Sequence, residues 1–317
     1  MKQNRREFLT TIAAAGAAFP MTSALNVINS SPQSPKYPVR FFSKPLDSYD
    51  FDFMCECLVR SGIDGFDMTV RRGGKIEPSK VEKDLPELVK KAGKYNLAFD
   101  MMVTEILTAS DPFTERVLRT ASSSGIKYYR LGWYAYDYKN GIRESIQSSH
   151  TELQKIIELN KKYKIRGDYQ NHAGLRVGGP VWDIDELLRD LPADLLGIQY
   201  DVRHATVEGA NSWILGMKLM GSKIRSLAIK DFTWEAVKDK PEAVTVPLGE
   251  GIVNWDLYFT TLKELKIEGP ITLHIEYPLL EKGEEKLSLS SQQDIIVRKM
   301  KKDMSFINSY LDKYQLG

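Results

Sequence analysis

The stretch Gly197-Ile198-Gln199-Tyr200-Asp201-Val202-Arg203-His204 decides how the rest of the chain is read. A turn signal, Leu191-Pro192-Ala193, precedes it, and the mostly apolar run from Leu195 to Tyr200 reads as a strand buried in a parallel sheet. The run stops at a carboxylate, and an imidazole follows three residues later. An aspartate at a strand end points out of the sheet, and a loop histidine three residues on can fold back beside it. A carboxylate and an imidazole that converge are ligands for a divalent metal, or an acid/base pair. The ordinary alternative is a loop ion pair, because structural pairs also put charge at strand ends.

Outward from this stretch the pattern repeats. Strands are expected at Val39 to Ser43, Gly65 to Val70, Leu97 to Val103, Ile126 to Leu131, Ile165 to Tyr169, Leu195 to Tyr200, Ile224 to Ile229 and Ile271 to Ile275. Helical stretches alternate with them. They are expected at Tyr49 to Ser61 with Gly62 as a stop, Val81 to Tyr95, from Asp111-Pro112 to Ser123, and Arg143 to Tyr163. Further helices are expected at Asp183 to Arg189, Trp213 to Met220, Asn254 to Lys266 and Gln292 to Tyr314. Eight strand-helix units in one chain predict a single (β/α)8 TIM barrel. A doubly wound open sheet is the alternative, and it lacks the Gly-rich phosphate loop after the first strand.

Residues 1–30 read differently from the barrel, which is expected to occupy residues 31–317. Arg5-Arg6 precedes the weakly apolar, Ala-rich run Thr11 to Phe19, the pattern of a twin-arginine export signal. That run is too short and weak to span a membrane, so no stable membrane association is expected after cleavage. The full chain carries 44 Lys and Arg and 42 Asp and Glu; without Lys2, Arg5, Arg6 and Glu7 it carries 41 of each. A neutral domain gives no electrostatic case for a nucleic-acid partner. The two cysteines, Cys55 and Cys57, lie two apart in a helical stretch, cannot bridge without distortion, and read as core residues.

In a barrel, function collects at the C-terminal ends of the strands. The second strand offers Asp67 and, just beyond it, Arg71; the third offers Glu105; the fourth Arg130 and Trp133; the fifth Gln170, Asn171 and His172. The sixth offers Asp201 and His204, the seventh Lys230 and Asp231, and the eighth His274 and Glu276. His274 and Glu276 are two apart on a strand and so share a face. Each charged group could instead be a rim ion pair, and Trp133 could simply cover the rim rather than stack on a sugar.

Asp201-x-x-His204, Lys230-Asp231, Gly249-Glu250-Gly251 ahead of Asn254-Trp255, and His274-Ile275-Glu276 follow the order seen in the xylose-isomerase-like barrel superfamily. The chain resembles that superfamily from about Val39 to Leu311, and Gly65-Phe66-Asp67 resembles its second-strand signature. The resemblance implies a sugar isomerase or epimerase, with a divalent metal (Mn, Co, Zn or Mg) held by Glu, Asp, His and Glu at successive strand ends. Two positions depart from it: Gln170 stands where the fifth-strand glutamate is expected, and Ala228 stands near the usual seventh-strand histidine. The metal set expected here is therefore Gln170, Asp201, His204 and Glu276. The family chemistry is proton abstraction next to a carbonyl, with the enediolate oxygen stabilised. It implies Glu105 or Asp231 as base, His172 as proton shuttle and Lys230 on sugar oxygens. Asp67, Arg130, Trp133, Asn171 and His274 are the remaining substrate contacts. A lyase acting on 3-keto-glycosides by β-elimination and a non-catalytic carbohydrate-binding barrel stay open as alternatives. The partner in each case is a small carbohydrate; the sequence leaves the oligomeric state undetermined.

If Arg5-Arg6 directs export to the periplasm or medium, replacing both with lysine leaves the protein in the cytoplasm. Cell fractionation reads the outcome, and unchanged export defeats the twin-arginine reading.

Overall fold

A computed structural model describes residues 37–316. The expected export signal and the expected barrel start at residue 31 lie outside the described residues. The strands are β1 (Val39–Phe42), β2 (Gly65–Thr69), β3 (Ala98–Val103), β4 (Tyr128–Arg130), β5 (Arg166–Gln170), β6 (Leu196–Asp201), β7 (Ile224–Ile229), β8 (Asp231–Val237), β9 (Lys240–Val246) and β10 (Ile271–Leu273). The helices are α1 (Phe51–Ser61), α2 (Val81–Lys94), α3 (Thr114–Ser123), α4 (Ile142–Tyr163), α5 (Val181–Leu187), α6 (Val202–Gly209), α7 (Trp213–Met220), α8 (Trp255–Leu265) and α9 (Leu289–Tyr314). Eight parallel strands close in the order β1-β10-β7-β6-β5-β4-β3-β2, so the chain is a (β/α)8 barrel.

Local signals set the element ends. Asp50 caps α1 by accepting from the Phe53 amide, and Gly62 ends it at φ +74°, a conformation that costs other residues. Met54 and Leu58 of α1 are fully buried against the sheet. Burial on that scale contributes roughly 1.5–3 kcal/mol per side chain. Cys55 and Cys57 are buried and unbridged, and burial pushes both thiols up to about 12. Among the described residues no helix is long and apolar enough to cross a membrane.

Two elements depart from expectation. Helix α6 starts directly at Asp201, so His204 lies in its first turn rather than in a loop. Between β7 and α8 the chain makes an antiparallel hairpin, β8 with β9, where no element was expected.

The lumen is polar. Arg40 of β1 grips Asp100 of β3 with two bonds, Nε to Oδ1 at 2.7 Å and Nη2 to Oδ2 at 3.0 Å. Ser226 of β7 donates to Asp168 of β5 at 2.6 Å, and Thr272 of β10 donates to Asp67 of β2 at 2.9 Å. Each pair joins strands separated by one neighbour, so the side chains meet across the lumen in layers drawn from alternate strands. This explains the alternation in Leu196-Gly197-Ile198-Gln199-Tyr200-Asp201: the apolar residues pack outward against helices, and Gln199 and Asp201 point inward.

Asp67, expected to touch substrate, belongs to this column. It is fully buried, and its Oδ1 has no hydrogen-bond partner. Burial pushes its carboxyl up to about 6, against the opposing pull of the Thr272 hydroxyl and of Arg130. The folded state therefore holds a proton that the unfolded chain releases near pH 4. This contribution to stability is complete below that pH and is lost as pH rises through about 6. Asp67→Asn is expected to stabilise the protein at pH 8 by on the order of 2 kcal/mol and to be neutral below pH 4. Urea unfolding across that range checks it.

Candidate active site

One network runs across the barrel mouth, with Asp201 at its centre. At the C-terminal end of β6, the Asp201 carboxylate caps α6 through Oδ1, which accepts from the His204 amide at 3.0 Å. Its Oδ2 accepts from Gln170 Nε2 at 2.8 Å and faces Lys230 Nζ at 3.3 Å. Lys230, the first residue after β7, reaches Glu276 Oε2 at 3.1 Å. Glu276 Oε1 lies 3.6 Å from His274 Nδ1. On the other side Arg130 Nη1 donates to Gln170 Oε1 at 2.7 Å. Asn171 clasps the end of β6, accepting from the Asp201 amide at 2.7 Å and donating to its carbonyl at 2.8 Å. Its role is to position Asp201, since both ends of its amide are used on backbone.

The charge state follows from this packing. Burial opposes ionisation of Glu276, but Lys230 and His274 outweigh it and hold the carboxyl well below the usual carboxylate range. Burial draws the Arg130 guanidinium down to about 10, still protonated at neutral pH. Burial also pulls His172 down to about 4 and His204 well below its ordinary value, so both rings are neutral. Their partners assign the tautomers. His172 Nδ1 faces the Ala173 carbonyl at 2.8 Å and must carry the proton, which leaves a lone pair on Nε2. His204 Nδ1 faces Arg203 Nη1 at 3.0 Å and must accept, so its Nε2 carries the proton. The two rings lie 3.9 Å apart.

Above the network opens a cavity of about 730 Å³ lined by Phe42, Arg71, Arg130, His172, Arg176, Lys230 and Glu276 among others. That volume suits a small molecule. Trp133 lines it too, but its ring already meets Arg130, Arg176 and His172, and its Nε1 donates to the Gln170 carbonyl. Sequence reasoning missed Phe42 and Arg176. Phe42 stacks on the buried His274 at 4.5 Å, and Arg176 sits in the long loop after β5, where no motif marks it.

Two expected bases are not brought to this cavity. Glu105 lies in the loop after β3, partly exposed, and pairs with Arg72 at 3.0 Å. Asp231 is fully buried, and its carboxylate takes five donors: the amides of Phe232, Gly249, Gly251 and Val253, and the indole of Trp255. The Gly249-Glu250-Gly251 motif is its cradle, for a Cβ on Gly251 would lie 2.1 Å from Asp231 Oδ1.

The expected metal set does not assemble as a cation cage. The Lys230 ammonium, not an open space, lies between Asp201 and Glu276. Both ends of the Gln170 amide are used, and His204 turns its lone pair to Arg203. Among the described residues no three His, Cys, Asp or Glu side chains gather to hold a metal ion. The donors present do not fit a divalent ion.

Acid, base and cation side chains thus gather at the mouth of a polar-lumened barrel. Residues 55–295 match the xylose isomerase-like TIM barrel family, and the chain belongs to it. No curated protein sequence matches the chain. Among solved structures it is similar to the zinc-bound IOLI protein, at 15% identity and a TM-score of 0.67, over 87% of this chain and 99% of that one. It is similar to D-allulose 3-epimerase from Methylomonas sp., at 15% identity and a TM-score of 0.62, over 88% and 99%. It also resembles the probable 3-DHS dehydratase AsbF from Bacillus anthracis, at 14% identity and a TM-score of 0.61, over 84% and 97%.

If Asp231 holds the loop rather than the chemistry, Asp231→Ala strands five donors, three of them buried, and lowers stability by about 3 kcal/mol or more. Urea unfolding measures the loss, with faster amide exchange across residues 247–255. A fully stable but inactive variant would return Asp231 to the catalytic set.

Proposed function

We propose that the chain is a sugar isomerase- or epimerase-like enzyme that moves a proton at a carbon next to a carbonyl, using protein cations to hold the enediolate. The observation that carries this reading is the Lys230 ammonium fixed between Asp201 and Glu276, with Arg130 on the same wall. The His172 Nε2 lone pair takes the proton from carbon, and the C–H electrons move to the carbonyl oxygen. Lys230 and Arg130 face the resulting negative charge, fixed before the reaction so that little reorganisation is needed. Glu276, ionised at rest, serves as the second proton carrier by taking up a solvent proton as Lys230 turns toward the substrate oxygen and its basicity rises; the His172 imidazolium returns its own proton to solvent before the next turnover. His172 and Glu276 extend from β5 and β10, which β6 and β7 separate, so they flank a bound sugar. Delivery of the Glu276 proton to the other face of the same carbon is epimerisation; return of the His172 proton to the neighbouring carbon is isomerisation. An exported location, read from Arg5-Arg6, is part of this proposal and fits a free sugar or keto-sugar.

Exchange of substrate C–H with deuterated solvent tests the reaction. Lys230→Met and Glu276→Gln are each expected to slow exchange about 10²- to 10⁴-fold. Chelators should leave the wild-type rate unchanged. His172 stays in its base form until pH falls to about 4, so the rate should hold from neutral pH down to that point. Exchange that requires added Mn or Co, or that survives Lys230→Met, overturns the proposal.

A further inference from the structure

The cavity wall is unbalanced in charge. Lys44, Arg71, Arg130, Arg176 and Lys230 line it, against a single lining carboxylate, Glu276. Asp201 lies beneath and, with Glu276, compensates Lys230. Among the described residues, Arg71, Arg130 and Arg176 have no carboxylate in ion-pair range. They are held by ring faces instead. Arg71 and Arg130 each lie 5.8 Å from the Phe42 ring, and Arg130 and Arg176 lie 4.3 and 4.8 Å from the Trp133 ring. Contact with a ring face leaves the N–H edges of a guanidinium available.

Arg130 carries a second signal. It is 3% exposed, yet its Nε and Nη2 have no hydrogen-bond partner. Those two atoms form one edge of the guanidinium, the edge that grips a carboxylate or phosphate with two parallel bonds. That edge is itself closed off, so Arg130 acts on the cavity as a fixed positive charge behind the wall, countered only at longer range by Asp67, Asp201 and Glu276. The surplus is local, because the whole chain carries a net charge of only +2. A neutral sugar would need acceptors for its hydroxyls, and this wall supplies mostly donors.

We infer that the substrate carries an anionic oxygen group, a carboxylate or a phosphate, in addition to its carbonyl. This deepens the proton-transfer reading and rests on it. The anion is held by Arg71 and Arg176 and screened by Arg130, which leaves Lys230 for the carbonyl oxygen.

Calorimetry on the full chain with D-fructose, D-fructuronate and D-fructose 6-phosphate, at low and high salt, tests it. At least one anion should bind about tenfold more tightly than fructose, with the advantage shrinking in salt. Arg71→Gln and Arg176→Gln should each reduce the anion-to-fructose affinity ratio about fivefold or more. Tight fructuronate alone identifies a sugar acid, and tight fructose 6-phosphate alone identifies a phosphate ester. Fructose binding as tightly as either anion, no anion binding at millimolar concentration, or a ratio unchanged in both variants overturns the inference. Anion binding without solvent exchange defeats the reaction but not this inference. Exchange on fructose with no anion preference defeats this inference and leaves the reaction standing.

Discussion

The ammonium of Lys230 is the contact on which the barrel mouth depends. Asp201 and Glu276 project from β6 and from the chain just beyond β10, the two strands that flank β7, and both face inward. Without a cation between them they would repel in a site largely shielded from water. Lys230 follows β7, so the sheet itself delivers the charge to the gap between them. Asp201 is thereby committed three times over: to the ammonium, to the Gln170 amide and to the first turn of α6. Removing Lys230 leaves Asp201 fully buried without a counter-charge, which costs far more than the pair's net worth.

Beneath the mouth, the lumen follows the same logic on a larger scale. TIM barrels ordinarily fill this space with branched apolar side chains. Here Arg40 with Asp100, Asp168 with Ser226, and Asp67 with Thr272 meet across it. Each bond fixes the rotation of two strands relative to one another, because a directional contact tolerates less slippage than an apolar one. Asp67 and Gln199 are the exceptions in the lumen: one carboxylate oxygen of Asp67 and both ends of the Gln199 amide find no partner.

Much of the architecture was legible in the residues. Eight short runs ended in polar groups and alternated with helical stretches, and the closed barrel follows that count. The hairpin of β8 and β9 was not legible, because its turn, Lys238-Asp239, lacks the usual Asn-Gly or Asp-Gly signal although both residues adopt positive φ. Helix α6 was hidden because Asp201 is both the last strand residue and the helix cap. In the site, Arg130, Gln170, His172, Asp201, Lys230 and Glu276 were found from their strand-end positions. What could not be read was who faces whom. A Lys-Asp pair in sequence suggests two active groups, yet the fold sends Lys230 into the mouth and Asp231 into a cradle of amides. Glu105 reads like a third-strand base and is turned out to Arg72 by its loop.

The β8–β9 hairpin is fastened at its base by Asp231 and along its length by Arg203, whose Nη2 donates to the Ala243 carbonyl. Thr245, near its returning end, is part of the cavity wall, while the tip at Lys238 and Asp239 stands away from these fastenings. Changes at the tip are therefore mechanically insulated from the barrel. Such a segment can lengthen, shorten or exchange residues over generations while the strand ends beneath it keep their places. One rim of the mouth is thus able to change in what it admits, while the charges beneath it are held in place by their mutual dependence.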